Sequence, residues 1–406
     1  MNARLTAGFT RKLVIIIINY FLASVFTFSI FYTFPATAHE DNQSGSGPIK
    51  VLTRNLYVGA DLLRVVDVGS AEEIPGAVAQ TLQIIQQTNF PERARAIAAE
   101  VKHTLPDLIG LQEVSTLRTQ FPGDFFQGNP QAAQDVMYDY LNILLTEMEK
   151  KGLHYKVAAM VQNADVEVPA YAGMDSSGNP QFMDVRLTDH DVILARKNIK
   201  IRNPVAQHYL YNLQIPVLVN FTVEFTRGYT TVDARVRGQW YRIANTHLEL
   251  PGPPPVSLIQ AMQAQELIGV LSQSSLPVVL LGDFNSSPDD VVDASGAVPP
   301  YMQLVMSDFA DTWLHRLGRP LPGYTCCQNE LLNNAESLLN MRIDHIFVRA
   351  PDGDPTILNH ALVLANTVGD DPADKTPSGL WPSDHAGVWA RIQLFNPGRQ
   401  HGKRLH

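Results

Sequence analysis

Pro277-Val278-Val279-Leu280-Leu281-Gly282-Asp283-Phe284-Asn285 is an apolar run that opens directly into a carboxylate and a carboxamide two positions apart. Branched aliphatic residues in unbroken succession read as a strand buried on both faces. If the chain stays extended past it, Asp283 and Asn285 point the same way. A negative acceptor and a neutral donor then share one sheet edge, where a metal-bound water and a phosphate oxygen can be handled together. Alone, the stretch is as well explained as an Asx-rich turn, because Asp, Asn and Ser end strands for purely local reasons. Its meaning depends on partners elsewhere in the chain.

Five other places repeat the arrangement. Asn55 lies just after Val51-Leu52, and Glu113 follows Leu108-Ile109-Gly110-Leu111-Gln112. Asn245 and His247 end Tyr241-Arg242-Ile243-Ala244, Asp344 and His345 precede Ile346-Phe347-Val348, and Asp384 and His385 precede Ala386-Gly387-Val388-Trp389. Any one of these is a cap or a turn residue. Six together point to a site, since binding residues gather at the ends of a rigid scaffold. Carboxylate, carboxamide and imidazole donors without thiolates suit Mg²⁺, with Mn²⁺ or Ca²⁺ as alternatives, rather than zinc.

The 406 residues, 45% of them hydrophobic, suffice for one large α/β domain or two ordinary ones. Arg4, Arg11 and Lys12, the apolar stretch from Leu13 to Phe34 and the small residues Ala36-Thr37-Ala38 read as a secretory signal over residues 1–38. The apolar part approaches spanning length, so an uncleaved anchor through residues 13–34 is the alternative. Either reading exports the folded part, as a secreted, periplasmic or membrane-anchored protein. Residues 39–48 form a flexible leader, 49–397 the domain and 398–406 a basic tail. Loss of residues 1–38 removes three basic residues and no acid, leaving 28 Lys+Arg against 40 Asp+Glu and a formal net charge of −12. Tight, sequence-independent nucleic-acid binding is not expected of so acidic a surface. A monomer is expected, in contact with a membrane only if the segment over residues 1–38 is not cleaved. The cysteines are the neighbours Cys326 and Cys327, too few for a thiolate zinc site and read as structural, either thiols or a vicinal disulfide.

Periodicity gives strands at Ile49 to Leu52, Leu108 to Leu111, Val192 to Ala195, Val217 to Phe225, Tyr241 to Asn245, Val278 to Leu281, Ile343 to Val348 and Ala386 to Leu394. Val219, Phe221, Val223 and Phe225 alternate with polar residues, which predicts a single antiparallel strand with one wet face. Helices are expected in two pieces between Glu72 and Leu105, broken near Asn89-Phe90-Pro91, then from Gln131 to Lys151 and from Val256 to Ser275. Many strands interspersed with few helices favour stacked sheets with helices outside.

The ordered set Asn55-Leu56, Leu111-Gln112-Glu113, Asn245-Thr246-His247-Leu248, Gly282-Asp283-Phe284-Asn285, Arg342-Ile343-Asp344 and Ser383-Asp384-His385 resembles the endonuclease/exonuclease/phosphatase superfamily over nearly the whole exported domain. The resemblance implies an α/β four-layer sandwich of two mixed β-sheets flanked by helices, and a divalent-metal-dependent phosphoester hydrolase, foremost a phosphodiesterase. It implies Glu113 as principal metal ligand, with Asn55 beside it and Asp384 close to the same cation. Asp283 would position or deprotonate water, Asn285 would donate to the phosphate, and His385, held by Asp344, would act on the phosphate or as general base. His247 would donate to a non-bridging oxygen or help the leaving group depart.

His247 and Tyr57 depart from the pattern of abasic-site endonucleases, and Ser286-Ser287-Pro288 from that of inositol phosphatases. Gly282 through Pro288 looks most like deadenylases, whose substrate does not suit an exported acidic protein. A secreted DNase or RNase, a sphingomyelinase-like lipid phosphodiesterase and a binding module without catalysis stay open, as does a zinc site made by His247, His345 and His385 with a carboxylate. Residues 154–190 (a polar insertion with Asp165, Glu167, Tyr171 and Asp189), Pro251-Gly252-Pro253-Pro254-Pro255 and Tyr324 to Gln328 are candidate pocket walls. Trp381 is a candidate platform for a base or a lipid.

Overall fold

A computed structural model describes residues 47–218 and 221–394. The signal or anchor over residues 1–38 and the basic tail over 398–406 lie outside the described residues. Among the described residues no helix is long and apolar enough to cross a membrane.

The first sheet contains β1 (Ile49–Asn55), β2 (Leu108–Gln112), β3 (Thr116–Gln120), β4 (Asp135–Asp139), β5 (Tyr155–Met174) and β6 (Pro180–Arg196). The second takes β7 (Lys200–His208), and β8 (Leu213–Leu218) pairs with β9 (Phe221–Phe225) in a hairpin outside both sheets. β10 (Gly228–Val236), β11 (Gln239–His247), β12 (Val278–Asp283), β13 (Ala310–Asp311) and β14 (Asp344–Arg349) complete the second sheet; β15 (Ala361–Val368) and β16 (Gly387–Leu394) return to the first. The orders are β15-β16-β1-β2-β6-β3-β4, with β5 on β6, and β13-β14-β12-β11-β10-β7. β1 runs parallel to β2 and β11 parallel to β12, while their other neighbours are antiparallel. Both sheets are therefore mixed.

Helices α1 (Leu63–Val66), α2 (Ile74–Gln87), α3 (Phe90–Thr104) and α4 (Tyr140–Lys150) precede the long β5–β6 arm; α5 (Val256–Leu271) and α6 (Pro300–Met306) follow it. Ile85, Ile97 and Leu144 of α2, α3 and α4 pack with Leu52, Leu111 and Leu194 of the first sheet. Leu267, Leu271 and Leu304 of α5 and α6 pack with Ala244, Leu280 and Phe347 of the second. Between the sheets lies a third apolar layer, which includes Val51, Ile193, Ile243, Val279, Leu281 and Ile346. Strand β12 shows why its sequence is unbroken: Val278 and Leu280 face the helices while Val279 and Leu281 face the other sheet, so neither side sees water.

Three expectations are corrected. The helix from Gln131 begins only at Tyr140, where the Asp139 side chain accepts from Asn142 N at 3.0 Å; β4 precedes it and pairs with β3. Residues 217–225 are not one strand but belong to β8 and β9, with residues 219–220 outside the described set. The polar insertion over 154–190 is regular β structure, a hairpin paired from Tyr155↔Arg196 to Met174↔Pro180. Val192 to Ala195, the expected strand, is the core end of β6; the rest of the arm is largely half-buried or exposed and carries no apolar run to announce it.

Candidate active site

Strand parity decides which strand-end residues meet. On β1, β2, β11, β12 and β14 one set of alternating residues faces the inter-sheet layer, and continuing that parity to one end brings Asn55, Gln112, Asn245, His247, Asp283 and Asp344 between the sheets. Apolar packing there gives way first to a buried polar seam. Gln112 Nε2 donates to Asn245 Oδ1 at 2.7 Å and to Thr53 Oγ1 at 3.1 Å, and Asn245 Nδ2 donates to Leu111 O at 3.0 Å. Gly110 lets the sheets approach here, because a Cβ would lie 2.5 Å from Asn245 Oδ1. Asn245 thus fastens the sheets together beneath the site.

Above the seam opens a cavity of about 530 Å³ whose wall includes Glu113, His247, Asp283, Asn285, Asp384 and His385. His385 Nδ1 lies 2.8 Å from Asp344 Oδ2 and 3.8 Å from Asp283 Oδ2; His247 Nε2 lies 3.6 Å from Asp283 Oδ2. Asn55 Nδ2 bridges Glu113 Oε1 at 3.0 Å and Asp283 Oδ2 at 3.1 Å, while its oxygen accepts from Tyr57 N at 2.9 Å. Asn55 therefore enters the site as a donor between two carboxylates. Glu113 Oε2 also accepts from Val58 N at 2.8 Å. Asp283 Oδ1 accepts from Asn285 N at 2.9 Å, and Asn285 Nδ2 donates to Leu248 O at 2.9 Å. The Asx turn and the site are the same object. Glu113, Asn285 and Tyr57 all have positive φ, 54°, 48° and 59°. For Glu and Tyr that conformation costs on the order of 1 kcal/mol each, strain that collects where side chains are aimed at a ligand.

Burial raises the Glu113 and Asp384 pKa values; facing Asp384 adds to the rise at Glu113, as Asp344 does at Asp384. Asp283 is pushed up to about 7 by burial and by Asp344. Burial alone would lower His385, but Asp344, Asp384 and Asp283 outweigh it and hold the imidazole well above its ordinary value. His247 goes the other way, driven down by burial and then by Arg227 and His385. One imidazole is thus charged and the other neutral. The donor set fits a hard divalent cation: oxygen ligands crowded together away from water, each disfavouring the other's charge, are what such a cation relieves. Glu113 and Asp384 would hold it.

Trp381 is corrected. It is fully buried against Tyr57 and Leu332, and its Nε1 donates to Asn334 O at 2.9 Å, so no ligand reaches its ring. Trp381→Ala is expected to destabilise the fold by about 3–5 kcal/mol while KM for a phosphoester stays within a few-fold of wild type; denaturant unfolding beside steady-state kinetics checks both. The three-histidine zinc site is also corrected. His345 sits at the opposite parity, with Nε2 on Ser286 O at 2.9 Å and Nδ1 on Arg342 Nη1 at 3.0 Å, among Phe284, Tyr301 and Phe347. Of the three candidate walls, the arm contributes Asn163, Ala164, Leu187 and Asp189, and the third stretch Cys326, Cys327 and Gln328; Pro251 to Pro255 leads into α5 instead.

Several residues of the site had no signal in the sequence. Arg93, fully buried on α3, donates to Thr88 O, Leu56 O, Pro382 O and Tyr57 O. Arg54 donates to His385 O and, at 2.9 Å, to Glu100 Oε1. Arg227 lines the cavity and reaches Glu249 Oε1 at 3.4 Å. Buried basic residues look like surface ones in a sequence; only the alternation of Arg54 within β1 hinted at an inward position.

A sequence profile of the Endonuclease/Exonuclease/phosphatase family matches residues 85–385. No curated protein matches the chain. Among solved structures, an endonuclease/exonuclease/phosphatase family protein from Bacteroides thetaiotaomicron is 16% identical, covering 87% of this chain and 100% of its own, with a TM-score of 0.51. A mannosyl-6-phosphatase of the same organism is 17% identical over 86% and 100% of the two chains, TM-score 0.49. Truncated TDP2 from Caenorhabditis elegans is 16% identical over 86% and 98%, TM-score 0.44. At 16% identity the first of these, with a TM-score of 0.51, speaks to the fold alone. With the profile spanning most of the domain and the oxygen-rich site in place, the chain belongs to the endonuclease/exonuclease/phosphatase family and is an enzyme of its kind, a metal-dependent phosphoester hydrolase.

Proposed function

We propose that the chain hydrolyses phosphodiesters with Mg²⁺, outside the cytoplasm, and that the ester group it accepts is small and largely apolar. The observation that carries the reading is the Asp344–His385 pair, 2.8 Å long and buried, set beside Asp283 and facing the Glu113/Asp384 carboxylates across one cavity. A bound divalent cation supplies charge neutralisation at the phosphoryl oxygens. The chain's own residues do the rest. Asp283, poised near neutrality, accepts the proton of the attacking water. His385, charged and fixed by Asp344, donates to a phosphoryl oxygen; neutral His247 donates at the leaving-group side, and the second amide hydrogen of Asn285 is free for the phosphate.

Substrate size and polarity follow from the walls. Val58, Leu63, Val66, Leu187, Leu213 and Leu250 line the cavity; of the acids among them Glu249 is paired with Arg227 and Glu330 with Arg64, which leaves Asp61 without a cationic partner among the described residues. Such a wall offers a polyanion no unpaired cationic side chain and accepts an apolar or aromatic ester. The leader supports export, and the disulfide-bonded Cys326–Cys327 pair suits an oxidising compartment. The expected order of turnover is bis-p-nitrophenyl phosphate above sphingomyelin, above p-nitrophenyl phosphate, above DNA and RNA. Faster hydrolysis of the monoester or of nucleic acid would overturn the assignment. Chelation should abolish turnover and Mg²⁺ restore it; activity that survives exhaustive chelation contradicts the cation's part.

A further inference from the structure

Phosphoester hydrolysis uses neither Cys326 nor Cys327, yet the fold sets both in the wall of the catalytic cavity, joined to each other as a vicinal disulfide. The backbone around them is fastened to the site on two sides. Cys326 makes bridges with both Met341 and His385. Ala386 N donates to Thr325 O and Gln328 N to Asp384 O, each at 2.8 Å, while Thr325 Oγ1 accepts from the amides of Ile343 and Asp344, each at 3.1 Å. As a result the two sulfurs and a ring nitrogen of His385 lie within 4.8 Å of one another. Cys326 is buried and Cys327 half-buried at the cavity surface.

Reduction changes what this wall offers. The disulfide takes up two electrons and two protons to give two thiols, and a dithiol supplies both while closing its own disulfide. When a cation binds, each thiol releases its proton and becomes a thiolate ligand, and His385 releases the proton on Nε2 to become an imidazole ligand. Two thiolates and an imidazole select a soft divalent ion, unlike the carboxylates of Glu113 and Asp384 in the same cavity. His385 commits Nδ1 to Asp344, which leaves Nε2 for a ligand; a carboxylate behind the opposite ring nitrogen is the usual support of a metal-bound histidine.

We propose that reduction of the Cys326–Cys327 disulfide creates, with His385, a thiolate–imidazole site for Zn²⁺, and that zinc held there withdraws His385 from catalysis. The inhibition rests on the phosphoester-hydrolase reading; the zinc site does not. The full chain, oxidised or reduced with a phosphine and then freed of it, is stripped of metal, supplied with Mg²⁺ and titrated with Zn²⁺. In parallel, Co²⁺ replaces zinc as a spectroscopic probe. The reduced protein is expected to hold one zinc more per chain than the oxidised protein, and to show a sulfur-to-cobalt charge-transfer band that the oxidised protein lacks. Hydrolysis of bis-p-nitrophenyl phosphate should fall about a hundredfold as the site fills. The double variant Cys326→Ser, Cys327→Ser, whatever its own turnover, should respond to zinc identically with and without reductant. Equal zinc counts in the two states, or no sulfur band, overturn the site. A filled site with undiminished hydrolysis overturns the inhibition. Should no state hydrolyse any phosphoester, the functional reading fails, and the zinc count and cobalt spectrum still decide the site.

Discussion

Glu113→Gln is expected to lower turnover of a phosphodiester by at least about a hundredfold, in a protein whose metal-free form unfolds near the wild-type midpoint. The two halves of that result have one cause. Without a cation, Glu113 is a buried carboxylate facing another at Asp384, and burial and that neighbour both disfavour its charge. An amide removes the repulsion and keeps an oxygen to accept from Val58 N, but its NH2 then faces the Asn55 amide that donated to the carboxylate; relief and loss are each on the order of 1 kcal/mol, so the apo fold changes little. With a cation present the balance inverts, because the anionic ligand that concentrates the cation has gone. Mg²⁺ should accordingly raise the melting temperature of wild type and leave that of Glu113→Gln nearly unchanged. Near-native turnover in the variant at saturating Mg²⁺, or an equal thermal shift in both proteins, would remove Glu113 from the cation's coordination.

What the sequence revealed about fold and site follows from burial. Strands covered on two sides, such as β12, must be apolar throughout, and their ends show as the first polar residue; that made Asp283, Glu113, Asn245, His247 and Asp344 visible. Proximity of two such residues in sequence did not tell which of them entered the site. Asp344 and His345 are neighbours, yet alternation sends one between the sheets and the other among Phe284 and Phe347. The same alternation, continued from Ile346 and Val348, would have separated them from sequence alone. Trp381 was misplaced for the converse reason: a large aromatic beside a catalytic motif reads the same whether it lines a cavity or, as here, packs under it.

The β5–β6 arm escaped because it has no constant inside or outside. Its base lies on the core, where the apolar run Val192 to Ala195 marks β6, while neither an apolar run nor steady alternation marks its more exposed far end. Asp189 and Leu187 reach the cavity from that arm, and their place depends on a pairing of residues that no local pattern encodes. The register shifts near Val157, Gln162 and Tyr171 break the parity further. Thus the ends of core strands were legible, and two of the three proposed wall stretches reach the cavity, but neither their β pairing nor most of the side chains they present there could be read from the sequence.

Arg93→Ala is expected to cost on the order of 3–5 kcal/mol of stability. The guanidinium is inaccessible to water and satisfies four carbonyls: Thr88 O at 2.8 Å, Leu56 O at 2.6 Å, Tyr57 O at 3.0 Å and Pro382 O at 3.1 Å. Truncation leaves those acceptors buried without donors and opens a cavity beside Phe90, over whose ring the guanidinium lies 5.0 Å from the centroid. The consequence for function follows from which carbonyls these are. Leu56 and Tyr57 continue from Asn55, and Pro382 stands two residues before Asp384, so one side chain on α3 ties the loop that sets Asn55 against Glu113 to the loop whose Asp384 would hold the cation. Lysine at this position keeps the charge but has no planar fork to serve four acceptors, and Arg93→Lys should recover less than half of the lost stability. Turnover per folded molecule should fall in both variants while the Mg²⁺ concentration needed for half-maximal rate rises. Urea unfolding at the wild-type midpoint for Arg93→Ala would show that the loops are held without it, and an unchanged Mg²⁺ requirement would show that they do not depend on it for their alignment.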